Sequence, residues 1–175
     1  MKVVVLSDTH GELQRAKACL KDMMPWDACF HLGDVGFPSS QLSNVSYVCG
    51  NHDQHQFVDE RIVELEGWKT WVLHGHYFEF ALMEAMKEDP NLWRSWDACM
   101  EIMYDTIISM AKKKGCQLVL FGHTHTAYFK KKEGVYLCNP GSLCFSHDGR
   151  APSYAVLTIT SQEITCIHHF IQSEI

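Results

Sequence analysis

At 175 residues, with 46% apolar and 21% charged residues, the chain fits one folded domain able to bury about 70% of its unfolded surface, which excludes disordered and fibrous classes. A net charge of −6 argues against a broad surface tracking nucleic-acid phosphates, since such binders present a basic face. Eight cysteines without a C-x-x-C pair read as reduced, mostly buried thiols of a cytoplasmic protein, and the apolar run after Met1-Lys2 is too short for a signal peptide or a membrane span.

Residues 2–6 are a continuous β-branched run, as expected of a strand covered on both faces. Its exit carries Asp8 and His10. Gly11 then opens a helix over residues 12–22, with Leu13, Ala16 and Leu20 on one stripe and Pro25 as its stop. Residues 27–32 form a second strand that leaves through Gly33-Asp34, and residues 45–49 a third that leaves through Gly50-Asn51-His52-Asp53. Ligand-type side chains therefore collect at the carboxyl ends of parallel strands, where open α/β sheets place their crevices.

Residues 61–66 and 68–73 read as a hairpin split by Gly67 and ending at His74. Over residues 80–114 the period lengthens to about 3.6. Trp96, Met100, Met103, Ile107 and Met110 step along one face there, and Pro90-Asn91 divides a short helix from a long one. The Trp and Met content of this segment exceeds one core stripe, so it either packs on a sheet or forms a lid or dimer face. Residues 117–121 make another buried strand, delivering His123 and His125. Strands at 127–132, 135–138, 154–160 and 163–171 follow, with turns at Glu133-Gly134 and Asn139-Pro140-Gly141-Ser142. The late strands look antiparallel, which predicts two packed sheets with helices outside, an α/β/β/α sandwich, in a single domain over 1–175.

Asp8, His10, Asp34, Asn51, His74, His123 and His125 are more ligands than the about four that one tetrahedral zinc takes. Two divalent metal ions are implied, with Asp34, on its short loop between Gly33 and Gly36, as the bridging candidate. A mixed oxygen and imidazole set suits Mn, Fe, Ni or Zn better than Ca or Mg. Such a pair can hold hydroxide at neutral pH and spread the charge of an attacked phosphate ester. His52, beside a ligand, is the candidate general acid, and Asp53 the group that orients it. His76 is a candidate phosphate contact. His31, inside a strand, reads as a packed core histidine, and His55, His168 and His169 as surface or structural residues.

Taken in order, Asp8-x-His10, Gly33-Asp34, Gly50-Asn51-His52-Asp53, His74-Gly75-His76, Gly122-His123-Thr124-His125 and Asn139-Pro140-Gly141-Ser142 resemble the calcineurin-like metallophosphoesterases, in particular their small prokaryotic phosphodiesterase branch. That resemblance implies a four-layer α/β/β/α fold, a first metal on Asp8, His10, Asp34 and His125, a second on Asp34, Asn51, His74 and His123, and His52 as proton donor. One departure stands out. Small members often follow the Asn-Pro-Gly-Ser turn with an arginine able to reach phosphate. Here the stretch reads Leu143-Cys144-Phe145-Ser146-His147, and Arg150 is the nearest guanidinium. The expected substrate is a small phosphate ester, with no membrane and no extended nucleic acid as partner and a homo-oligomer left open. Two other classes compete: a non-catalytic protein-binding scaffold on the same fold, whose mark would be lost ligands, and a redox or structural metal protein built on the cysteines.

Overall fold

Val3, Val4, Val5 and Leu6 are all fully buried, and their alternation sets the layering. In the computed structural model, which describes residues 1–172, successive side chains of this strand enter two different cores. The last three residues of the expected 1–175 domain lie outside the described residues. The elements run β1 (Lys2–Leu6), α1 (Leu13–Asp22), β2 (Ala28–His31), β3 (Ser46–Tyr47), β4 (Glu60–Leu65), β5 (Trp68–Leu73), α2 (Glu79–Glu88), α3 (Trp96–Lys114), β6 (Leu118–Leu120), β7 (Ala127–Lys132), β8 (Val135–Pro140), β9 (Ser153–Ile159) and β10 (Ile164–Phe170).

Two mixed sheets result, one ordered β10-β9-β1-β2-β3 and the other β4-β5-β6-β8-β7. Val3 and Val5 face the space between them, joined by Phe30, Val72, Leu118 and Leu120. Val4 and Leu6 point the other way, onto Ala16, Cys19 and Leu20 of α1. On the far side, Trp71, Leu73, Val119 and Phe121 pack under Met103, Ile107 and Ala111 of α3. Helix, sheet, sheet and helix are thus the four predicted layers, because strands buried on both faces alternate between two cores. No helix among the described residues is long and apolar enough to cross a membrane.

Three expectations shift locally. The predicted strand 45–49 shrinks to Ser46–Tyr47, since after Val48 bonds to His31 O the chain turns and Cys49 donates instead to Val58 O. The predicted Asn139–Ser142 turn begins later, because Asn139 and Pro140 still pair with Tyr128 and Ala127 and extend β8. The Trp/Met segment does pack on a sheet through Met100, Met103 and Ile107, yet it leaves Phe80, Met83, Trp93 and Trp96 exposed.

His31 is fully buried. Its Nδ1 accepts from the Gly33 amide (3.3 Å), which leaves Nε2 to donate to Thr9 Oγ1 (2.9 Å); the Thr9 hydroxyl donates onward to Val35 O (2.7 Å). Burial pulls its pKa down to about 4, against the opposing charges of Asp8 and Asp53. An unfolded histidine takes up its proton near 6.5, so between pH 6.5 and about 4 the unfolded chain binds more protons. Stability therefore falls as pH drops through that window. Urea unfolding of the metal-free protein is expected to lose on the order of 3 kcal/mol there from this residue. His31→Gln should flatten the slope, and an equally steep slope in the variant would contradict the assignment.

Candidate metal centre

The parallel strands β1, β2 and β3 of one sheet and β5, β6 and β8 of the other end on the same side of the molecule, and their exits build the site. Five of the expected ligands sit at backbone angles that side chains disfavour: Asp8 (φ 51°), His10 (φ 43°), Asp34 (φ 54°), His123 (φ 68°) and His125 (φ 53°). Left-handed non-glycine residues cost of order 1 kcal/mol or more each and persist only where the surroundings over-determine them. Here they turn the exits of β1, β2 and β6 inward rather than along the strands.

The donor atoms converge. Asp34 Oδ2 lies 3.8 Å from His10 Nε2, 3.6 Å from His74 Nε2 and 3.9 Å from His52 Nε2. Asp8 Oδ1 lies 3.1 Å from His125 Nε2 and 3.9 Å from His74 Nε2. Asp8 with His10 and His125, and Asp8 with Asp34 and His74, form two groups whose ligand atoms lie within 4.8 Å of one another. Asn51 Oδ1 reaches His74 Nε2 at 3.0 Å.

Tautomers decide what this cluster wants. His74 Nδ1 donates to Leu32 O (2.7 Å) and His125 Nδ1 to Phe145 O (3.1 Å), so in neutral rings both Nε2 lone pairs face inward. They meet acceptors there: Asn51 Oδ1 before His74, and before His125 the buried Asp8 Oδ1, which has no hydrogen-bond partner. Acceptors aimed at acceptors call for a proton or a cation between them, and oxygen–imidazole sets are what borderline divalent metals take. The residues therefore fit a metal. Protonation responds to the same geometry. Burial alone would raise the Asp8 carboxyl, but His125, His74 and the Ser7 hydroxyl hold it well below the usual carboxylate range. Burial lowers His125, yet Asp8 wins and raises it.

Close packing fixes both carboxylates. A Cβ on Gly50 would sit 2.1 Å from Asp34 Oδ1, and one on Gly122 2.0 Å from Ser7 Oγ and 2.9 Å from Asp8 Oδ2. Asp34 Oδ1 also accepts from the His52 amide (2.9 Å), and Asp8 Oδ2 from the His123 amide (3.1 Å). Sequence reasoning passed over two further supports. Asn139 Nδ2 donates to Gly122 O (2.8 Å) and Thr124 Oγ1 (3.1 Å), and Ser142 Oγ donates to Asp8 O (2.9 Å). The Asn-Pro-Gly-Ser block signals them, although it reads locally as a turn.

Asp53 corrects an expectation. Its carboxylate does not orient His52; it accepts from the amides of Asp34 (2.7 Å), Val35 (2.8 Å) and Gly50 (2.8 Å). A buried anion that gathers three amides ties two loops together and has little left to give a neighbour. His52 itself stands at the mouth, its side chain 66% exposed.

His123 lies beside the others, its ring 5.1 Å from that of His74, but its Nε2 pairs with Glu79 Oε1 at 2.7 Å. It joins neither tight group, because the first residue of α2 has taken that nitrogen. Nothing in the sequence distinguishes Glu79 from any acidic helix start. Burial, together with nearby His74, lowers His123 despite Glu79. Arg150 supplies no free guanidinium to the centre: it binds Asp148 and Ala127 O. His147 instead stacks on His125, with ring centroids 4.9 Å apart. His76 Nδ1 is buried without a partner, and the ring lies 5.6 Å from that of His74. Among the cysteines, Cys49 approaches His55 and Asp59, outside this cluster.

The model of the calcineurin-like phosphoesterase superfamily domain matches residues 1–162. A probable metallophosphoesterase of Mycoplasma pneumoniae is 32% identical over 169 residues, covering 94% of this chain and 93% of the relative. A phosphodiesterase of Methanocaldococcus jannaschii is 22% identical over 93% of this chain and 96% of its own. Among solved structures, a conserved protein of Streptococcus pneumoniae TIGR4 described as a predicted phosphoesterase superposes with a TM-score of 0.75 at 20% identity, over 97% of this chain and 88% of that one.

Since Gly50 has no room for a side chain, Gly50→Ala must push Asp34 out of line. Metal affinity in equilibrium dialysis is expected to fall about 10- to 100-fold, the usual size of losses in the supporting shell, with far-UV circular dichroism unchanged. Wild-type affinity in the variant would show that Asp34 is not held this way.

Proposed function

The chain belongs to the calcineurin-like phosphoesterase superfamily, and from that premise we propose that it is a phosphodiesterase working with two divalent ions drawn from Mn, Fe, Ni or Zn. The observation that carries the proposal is the buried, partnerless Asp8 Oδ1 faced by the inward lone pair of His125. Asp8, His10, Asp34 and His125 would hold one ion, and Asp34, Asn51 and His74 the other, with His123 able to join once Glu79 releases it. Ions bound there lower the pKa of water towards neutrality and offset the charge on phosphate oxygens.

The chain's own residues do the rest. Asp34, whose Oδ2 lies 3.8 Å from His10 Nε2 and 3.6 Å from His74 Nε2, would be shared by the two ligand sets and set their spacing. The β-strand exits hold the ligands rigidly, so little reorganisation is left for the reaction. The exposed imidazole of His52, 3.9 Å from Asp34 Oδ2, is positioned by its own backbone amide on that same carboxylate. As imidazolium it donates a proton to the departing alkoxide oxygen. The substrate is a small phosphate ester. All seven expected ligands remain in this chain, whereas a scaffold that had abandoned catalysis would be free to lose them.

Hydrolysis of bis(p-nitrophenyl) phosphate with added Mn²⁺ tests this. Wild type should turn over and stop when EDTA is added; Asp34→Asn should be inactive, and His52→Ala slower by about 10²- to 10⁴-fold, the usual worth of a general acid. Equal rates in all three proteins would overturn the proposal.

A further inference from the structure

Two clefts that share no residue open beside the centre. One, of about 390 Å³, has Phe37, Pro38, His52, Gln54 and Gln56 in its walls. The other, of about 250 Å³, runs between the centre and the helical layer, walled by Leu82, Trp96, Met100, Met103, His123 and His147. His52 belongs to the first, and His123, beside His74, to the second, so a phosphate at the centre can send one substituent into each. We propose, building on the phosphodiesterase assignment above, that the substrate's two ester arms are sorted between these clefts: the leaving arm beside His52, and a retained arm that is apolar and planar against Trp96, Met100 and Met103.

One feature sets the chemistry of the leaving side and three that of the retained side. The leaving oxygen must lie where His52 can reach it, which assigns the His52 cleft to the departing alcohol. In hydrolysis the water oxygen bonds to phosphorus as the P–O bond to that arm breaks. His52 passes its proton to the departing oxygen and regains one from the water consumed. The products are the alcohol and a phosphate monoester that keeps the other arm. On the retained side, an indole face and two thioethers favour a flat ring, through stacking and sulfur–aromatic contact. Trp96 is partly exposed and Met100 and Met103 are buried, so the wall is ready-made and open to the ring. Glu79, in the wall of the same cleft and about half exposed, repels a second phosphate on that arm. Arg150 is bound to Asp148, and among the described residues no arginine lines this cleft to clamp a terminal phosphate dianion. Both favour an uncharged aromatic arm over a polyphosphate.

The test compares bis(p-nitrophenyl) phosphate with methyl p-nitrophenyl phosphate. Both release the same alcohol and differ only in the arm retained. Trp96→Ala should lower the bis-to-methyl ratio of kcat/KM about tenfold, mainly through KM, which is the scale on which an apolar pocket discriminates. Phe37→Ala should slow both substrates by the same factor and leave that ratio unchanged. Calorimetry gives a readout without turnover: with Mn²⁺, phenylphosphonate should bind wild type more tightly than methylphosphonate, and Trp96→Ala should erase the difference. An unchanged ratio in Trp96→Ala, or a ratio that moves only in Phe37→Ala, overturns the sorting of arms while leaving the phosphodiesterase assignment standing. Absence of turnover of both diesters by wild type overturns that assignment, and the sorting falls with it.

Discussion

Two carboxylates packed inside the protein are the constraint around which everything else is arranged. Asp8 and Asp34 are almost completely inaccessible to water, where a lone charge would be prohibitive. Among the described residues, their ion-pair partners are histidines and neither meets a lysine or arginine. Each accepts from one backbone amide on one side and is faced by imidazole nitrogens on the other. Amide dipoles stabilise the negative charge without neutralising it, so the net demand for positive charge is passed to whatever the imidazoles enclose. The parallel ends of two sheets, the glycines that let backbone approach carboxylate, and the Asp53 latch across two loops all serve that arrangement.

The division of labour among layers follows. The sandwich interior between the sheets is a conventional apolar core, and it fixes only where the strands end. The chemistry rests on the loops just beyond. On the proposed sorting of ester arms, selectivity would lie further out, since α2 and α3 contribute Glu79, Leu82 and Trp96 to the cleft beside the centre while contributing none of the expected ligands. Leu82 and Trp96 touch none of the donors, whereas Glu79 is tied to one of them through His123 Nε2.

Much of this was legible in the amino acids, for identifiable reasons. Strands covered on both faces are continuous apolar runs, so β1, β2 and β6 and the histidines and aspartates at their exits stand out. The long amphipathic stretch before Lys114 betrays its period. What stayed hidden depends on partners remote in the chain. Asp53 looks like a neighbour for His52, but its oxygens find amides of Asp34 and Val35 that only the fold brings near. Glu79 meets His123 across 44 positions. Asn139 and Ser142 look like turn formers, and their bonds to Gly122 and Asp8 arise because β8 lies next to β6 and its exit passes under β1. Sequence shows which side chains can do chemistry; it does not show which oxygen atoms are already spoken for.

The left-handed backbone at Asp8, His10, Asp34, His123 and His125 carries a further implication for how this protein can change over time. Glycine or asparagine would adopt those angles more comfortably, so drift toward a sturdier fold and drift toward losing the ligands run in the same direction. Catalytic competence in this scaffold is thus a standing thermodynamic burden that only selection for turnover maintains. Copies released from that selection should erode first at these five positions and keep their layered architecture long afterwards.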